Sequence, residues 1–269
     1  MILRTWFVIA SFWFAGIAAY GAPGSSVIQA SRDTSIYQNS PNNSGGGAAG
    51  IFAGTNGQGS PRRGLVAFDV AANVPADAVI IGAELTMYLG MATGGLGEPL
   101  GLHRLNADWG EGTAGSSTLT VSNSGNGFAA GVGDATWNAR FHSPTSPIPW
   151  TAPGATGDFV TTPSTVTIVT NTIDTPFTWH ASADMINDVR TWRDNPAANF
   201  GWALVNQSEG RSGSARGFYS SEATLNSTSG VLNPAWRPTL TVNYILIPEP
   251  ATALLLLASG ALAMIRVRR

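Results

Sequence analysis

Cysteine and lysine are both missing from the 269 residues, and histidine occurs three times. Without cysteine no disulfide can brace the fold, so a core of this size must be held by burial alone. Without lysine there is no Schiff-base amine, no P-loop lysine and no Ser-Lys dyad. The three histidines, His103, His142 and His180, are far apart and show no His-Glu-x-x-His spacing. No Gly-x-Ser-x-Gly occurs, which removes the usual turn for a hydrolase serine. Charged residues make up only 11% of the chain, and all fourteen basic residues are arginine.

The two ends carry the long apolar runs. Arg4 precedes an apolar stretch from Trp6 to Ala19, and Ala19-Tyr20-Gly21 fits the small-x-small pattern of a peptidase site. Residues 1–21 therefore read as a cleavable secretory signal. The alternative, an uncleaved anchor, would need a run of ~20 residues, and this one is shorter. At the other end Pro248-Glu249-Pro250 breaks any preceding strand, because proline has no N–H to donate. An uncharged segment from Ala251 to Ile265 follows, then Arg266, Arg268 and Arg269. The segment suits a membrane helix, and the arginines should hold its end on the cytoplasmic side. This tripartite tail, residues 248–269, resembles the PEP-CTERM sorting signal. The resemblance implies a Gram-negative host, export, a transient membrane anchor, and an exosortase-type enzyme that cuts near Pro248. It also implies association with exopolysaccharide and biofilm. A plain C-terminal anchor is the alternative. The tail gives an address and no activity.

Between the ends lie about 225 residues, 22–247, rich in Gly, Ser, Thr and Asn. This is the composition of a loop-rich extracellular β protein. After processing, 10 arginines face 15 acids, a charge near −5, which argues against nucleic acid as a partner. Period-two alternation predicts strands. It groups Val66, Phe68 and Val70 on one face, and Ile81, Ala83, Leu85, Met87 and Leu89 on another. It also groups Val166 with Ile168, and Leu240 with Val242 and Tyr244. Shorter candidates are Val27–Ala30, Leu102–Leu105, Phe177–His180, Trp202–Val205 and Gly217–Ser220, separated by turn clusters such as Ser40–Gly47 and Ser122–Gly127. The pattern predicts an all-β fold, a β-sandwich or jelly roll. One segment departs from it. Ser182–Asn195 reads as a short helix, with Ser182 as N-cap, Asp184 in the first turn and Pro196 just beyond. Met185, Ile186, Val189 and Trp192 share its apolar face, which should plug the sandwich.

The ordered segments together resemble a DNRLRE-type domain, a family of extracellular β-sandwiches related to carbohydrate-binding modules. The pieces that carry the likeness run from Asp33-Thr34-Ser35-Ile36-Tyr37 through Arg63–Asp69 and Ala83–Leu89. They continue with Trp109-Gly110-Glu111, Thr136-Trp137-Asn138, Asn187–Trp192 and Asn199–Leu204. Phe218–Glu222 and Arg237–Tyr244 close the series. Two departures stand out. An insert, Ala114–Asp134, splits the Trp-x-Glu and Thr-Trp-Asn pieces, and Ser221 stands before Glu222 where the family usually has arginine. The resemblance implies glycan binding and no catalysis.

Candidate chemistry follows. Asp108 with Glu111, or Glu111 with Glu222, would be the carboxylate pairs of a glycosidase or lyase; the resemblance treats the Asp108–Glu111 loop as structural, and no residue is assigned a catalytic role. Sugar binding needs flat aromatic faces and planar hydrogen-bonding groups. Trp150, in the proline-rich stretch Pro147-Ile148-Pro149-Trp150, is the expected exposed platform. Arg62 and Arg63 are the expected carboxylate forks. Asp33 and Asp158 are nominal ligands for a structural Ca²⁺, although no loop has a recognisable calcium spacing. No other cofactor is expected. The expected partner is an extracellular, acidic polysaccharide, and the alternative is a purely structural or adhesive surface protein.

Overall fold

The structure is a computed structural model that describes residues 21–117, 119–228 and 230–247. The signal segment up to Tyr20 and the tail with Pro248, Glu249, Pro250, Arg266, Arg268 and Arg269 lie outside the described residues. No described helix is long and apolar enough to cross a membrane.

The described chain is built mainly of strands. They are β1 (Ala22–Gln29), β2 (Arg32–Tyr37), β3 (Asn43–Ser44), β4 (Gly50–Thr55), β5 (Pro61–Ala67), β6 (Ala78–Ala92), β7 (Glu98–Arg104) and β8 (Phe128–Ala129). After them come β9 (Ala139–Phe141), β10 (Ile148–Pro149), β11 (Thr165–Val169), β12 (Thr175–Trp179), β13 (Trp202–Asn206), β14 (Arg216–Tyr219) and β15 (Thr239–Leu246). Two α-helices interrupt them, α1 (Val70–Asn73) and α2 (Ala183–Asp194). The fold is all-β: eleven strands form one curled antiparallel sheet in the order β1-β15-β6-β14-β4-β5-β13-β7-β11, with β12 joined to β6 and β2 to β5. The short strands pair separately, β3 with β8 and β9 with β10.

Strand β4 turns the corner. Gly50 to Ala53 pair with β14, while Gly54 and Thr55 pair with β5. Gly54 has φ +101°, and a Cβ there would stand 2.5 Å from the Ser214 carbonyl oxygen. Only glycine relieves both constraints. The curl encloses an apolar core that includes Leu85, Met87 and Leu89 of β6, Leu240 and Val242 of β15, and Trp202 of β13. Apolar area removed from water at ~25 cal/mol per Å² is the driving force, since no disulfide contributes.

Helix α2 forms where the sequence places it. The Ser182 side chain accepts from the Met185 N–H, and Met185, Val189 and Trp192 are buried. Trp192 meets Trp202 edge-on at 4.4 Å. The helix is fastened to the start of β6 by its arginines: Arg190 Nη2 donates to the Ile80 carbonyl at 2.5 Å, and Arg193 donates to that of Ala78.

Two strand readings change. Ile81 is 50% exposed, whereas Ile80 is buried. The cause is a β-bulge: Asn243 pairs with Gly82 but Tyr244 with Ile80, so Ile81 is the extra residue and the facing flips across it. Val166 and Ile168 do share a face, but it is the outer one, with 44% and 59% exposure. The threonines of β11 take the other face, where Thr165 and Thr167 donate to the carbonyls of His180 and Thr178.

Candidate binding site

Gly110 N donates to the Arg140 carbonyl and Ala135 N to that of Gly110, so the Trp109–Glu111 and Thr136–Asn138 segments lie side by side. The insert between them loops away. It supplies one wall of a cavity of about 310 Å³, and the β4–β5 turn supplies another. Polar side chains face it: Asn56 and Gln58 from the turn, Ser122, Asn123 and Asn126 from the insert, and Arg62 from β5. No aromatic ring is among its lining residues.

Arg62 is the distinctive group. Its residue is 5% exposed. Nη2 donates to Asn126 Oδ1 over a long 3.4 Å, the guanidinium lies 5.8 Å from the centre of the Tyr37 ring, and Nε has no partner. Among the described residues no carboxylate pairs with it. Burial pulls its pKa below the ordinary arginine value, and the Tyr37 hydroxyl is pushed up to about 12, mainly by burial. Arg216 shows the contrast. It is wholly buried, and its donors go to the carbonyls of Thr170, Thr93, Ala215 and Leu96, with Glu98 4.0 Å away. A buried guanidinium is normally satisfied like that. Arg62 is not.

The other expected site residues fall elsewhere. Trp150 is not an exposed platform: it is 4% exposed, packs in a core cluster with Trp109 and Trp137, and donates Nε1–H to the Thr136 carbonyl. Its proline-rich stretch lacks strand alternation, yet β10 pairs with β9 and folds the ring inward. Of the seven described tryptophans six are buried, and Trp236, half-buried, stacks on Tyr88 at 5.0 Å. Arg63 is committed to structure. It makes a two-pronged pair with Glu209 at 2.8 and 2.7 Å, donates to the Gly154 carbonyl, and lies over the Trp137 ring. Asp158 accepts from the Thr151 N–H and hydroxyl. His103 is buried, bonded to the Val160 carbonyl and Gln207, and burial lowers its pKa.

Asp33 stands in a different setting, apart from Asp158. It is fully buried on β2, its N–H donates to Glu111 Oε1 at 2.6 Å, and its Oδ2 accepts from Ser221 N at 2.9 Å. Burial, then the Glu222 charge, raises its pKa well above the usual carboxylate range. Glu111 is pushed up to about 7, first by burial, and Glu222 is raised by burial too. Neither glutamate lines the cavity at Arg62. Among the described residues no three His, Asp or Glu side chains are grouped to hold a metal ion.

A search against protein-family models gave no match, and no curated protein matches the chain.

Proposed function

We propose that the chain is an exported, non-catalytic surface or matrix protein that binds acidic extracellular polysaccharide, with the cavity at Arg62 as the binding site. The observation that supports this reading is the buried, unpaired Arg62 guanidinium in the wall of a polar cavity. A uronate carboxylate would complete it, because its two oxygens match the planar fork. The amides of Gln58, Asn123 and Asn126 offer donors and acceptors to sugar hydroxyls. The volume, about 310 Å³, sits at the low end of the ~300–1,000 Å³ range of small-ligand sites, enough for a short stretch of glycan.

In this reading the curled sheet is a DNRLRE-type sandwich or jelly roll, and the insert that departs from the family's pattern builds the glycan site. The signal, residues 1–21, is removed on export. An exosortase-type enzyme cuts near Pro248-Glu249-Pro250 after Arg266, Arg268 and Arg269 have held the tail at the membrane. The mature charge near −5 repels a polyanion at long range. At 0.15 M salt that repulsion is screened beyond roughly 8 Å, so the local fork prevails. Affinity per site is then modest, about −4 to −6 kcal/mol, and multivalent display raises it.

The absence of an aromatic ring in the cavity lining favours a second reading, a structural or adhesive surface protein with no specific sugar. Affinity electrophoresis and calorimetry of the full chain separate the two. Uronate-containing glycans should retard it, neutral glycans should not, and Arg62→Gln should weaken uronate binding at least about tenfold, or ~1.4 kcal/mol. If no glycan retards the protein, the structural reading replaces the binding one. Intact-mass measurement of native surface protein checks the two ends: retention of Met1 or Arg269 refutes processing at that terminus.

A further inference from the structure

Asparagine followed by glycine occurs twice in the chain, at Asn56-Gly57 and Asn126-Gly127, and all four residues line the cavity at Arg62. This dipeptide readily loses its side-chain amide, because the nitrogen of the following residue can reach the side-chain carbon and glycine has no Cβ to hinder the approach. The two copies are held differently. Asn56 is 7% exposed, and its Oδ1 accepts from the Gln58 and Ser60 N–H groups at 3.0 and 2.8 Å, which pins the amide inside the β4–β5 turn. Asn126 is exposed, and its Oδ1 accepts the long 3.4 Å bond from Arg62 Nη2. Glycine is required after it: Gly127 has φ +65°, and a Cβ there would stand 2.5 Å from the Tyr37 ring.

The contact with Arg62 favours the reaction at Asn126. A guanidinium that donates to an amide oxygen stabilises the negative charge that grows on that oxygen when a nucleophile adds to the carbon. Hydroxide takes the Gly127 N–H proton, and the nitrogen attacks Asn126 Cγ. The new C–N bond closes a cyclic imide. The Cγ–Nδ2 bond breaks, and its nitrogen leaves as ammonia after taking a proton from water. Water then opens the ring at either carbonyl and leaves a free carboxylate at position 126, on the side chain or, in the isoaspartyl isomer, on the main chain. The net change consumes one water and releases one ammonia, and no oxidant takes part. The Gly127 N–H donates to the Ser124 carbonyl at 3.1 Å, so that bond must open first, and the change accumulates slowly in the folded protein.

We propose that Asn126 deamidates on its own, and that the carboxylate it leaves becomes the counter-ion that Arg62 lacks, closing the cavity to external anions as the protein ages. The closure bears on function through the uronate reading of this cavity, on which it rests. The new carboxylate takes the place of the Oδ1 that already faces Nη2. A charge-assisted bond is shorter and stronger than the neutral one it replaces. The fork is then filled from within, and the added negative charge repels a uronate from the same wall. Arg62, 5% exposed and without an ion pair in the fresh protein, gains a partner, so closure also stabilises the fold. The change runs one way, because water is in excess and the ammonia escapes. A young molecule holds acidic glycan and an old one releases it.

The test is to age the full chain in warm, mildly alkaline buffer and to sample it over time. Peptide mapping by mass spectrometry should find the amide-to-acid mass gain at Asn126 well before any at Asn56. The thermal midpoint should rise with the converted fraction toward that of Asn126→Asp, which should melt about 2–4 °C above the fresh wild type. In calorimetry Asn126→Asp should bind uronate-containing glycan at least about tenfold more weakly than the fresh wild type. Asn126→Gln keeps an amide but must close a larger, slower ring. Whatever its starting affinity and midpoint, neither should drift on ageing. Conversion of Asn56 ahead of Asn126, or a midpoint left unchanged by Asn126→Asp, overturns the proposal. So does uronate binding by Asn126→Asp at full strength, or a loss of binding on ageing that Asn126→Gln shares. If the fresh wild type binds no glycan, the binding function falls, and the pairing of the new carboxylate with Arg62 is decided by the mass map and the midpoint.

Discussion

Two ends of one ladder each hold a buried ionisable side chain with an unpartnered atom, Arg62 Nε at one and Asp33 Oδ1 at the other. Strands β2 and β5 pair so that Tyr37 faces Arg62 at one end and Asp33 faces Val66 at the other. Four residues of antiparallel strand separate the ends, about 13 Å. At the Arg62 end the missing partner is an anion, and a cavity gives it a way in. At the Asp33 end one carboxylate oxygen lacks a partner, and the residue is fully buried. Both ends depart from the rule that buried charge is paired, yet only one opens on space for a ligand. An unsatisfied group becomes a candidate binding site only where a ligand can reach it.

The comparison can be broken most sharply at Arg216, the buried arginine whose donors are all used. Replacing it with Met strands the carbonyls of Thr93, Leu96 and Thr170. The expected loss is about 3–5 kcal/mol in urea unfolding. Arg63→Ala comes next. It removes the Glu209 pair and the packing on Trp137, for a loss of about 1–3 kcal/mol with uronate binding unchanged, as calorimetry would show. Glu111→Gln sharpens the acidic end. Its carboxylate is held near pKa 7 by burial, so the ionised group costs stability above that pH. Denaturant melts should show a gain of about 1 kcal/mol at pH 8, after discounting for its partial exposure, and no gain at pH 4. The smallest effect on stability belongs to Arg62→Gln, within about 1 kcal/mol of wild type, because no ion pair is lost. A large destabilisation there would place Arg62 with Arg216 and remove the contrast.

Local signals in the sequence were read correctly wherever the structure they specify is local. Ser182, Asp184 and the Met185–Val189–Trp192 spacing mark α2 because a helix writes its cap and face within a few residues. Leu240, Val242 and Tyr244 turn inward as alternation requires. Alternation failed at Ile81 because a bulge is set by the partner strand, and at Val166 because the outer face of β11 is as apolar as an inner one. Trp150 was misread since a ring in a loop and a ring beneath a loop have the same neighbours in sequence. Arg62 was legible as a cation suited to carboxylates. Its lack of a counter-ion was not, nor were the amides around it, because the insert supplying Asn126 lies 64 residues away. Glu111 with Glu222 is legible in sequence as a candidate carboxylate pair, but the place of Asp33 beside them is not: Glu111 and Ser221 stand 78 and 188 residues from Asp33.

Strand β1 lies antiparallel to β15, with Ala22 opposite Leu246 and Gln29 opposite Thr239. Both ends of the described chain therefore leave from one corner of the sheet, side by side. Tension applied between those two ends would meet the ladder bonds one at a time and peel β1 away like a zipper, at low force. Tension between either end and a glycan seated at Arg62 would run through the interior of the sheet and load many bonds together. As a mechanical element the body would resist better if held by one terminus and pulled through a molecule seated at Arg62 than if stretched end to end.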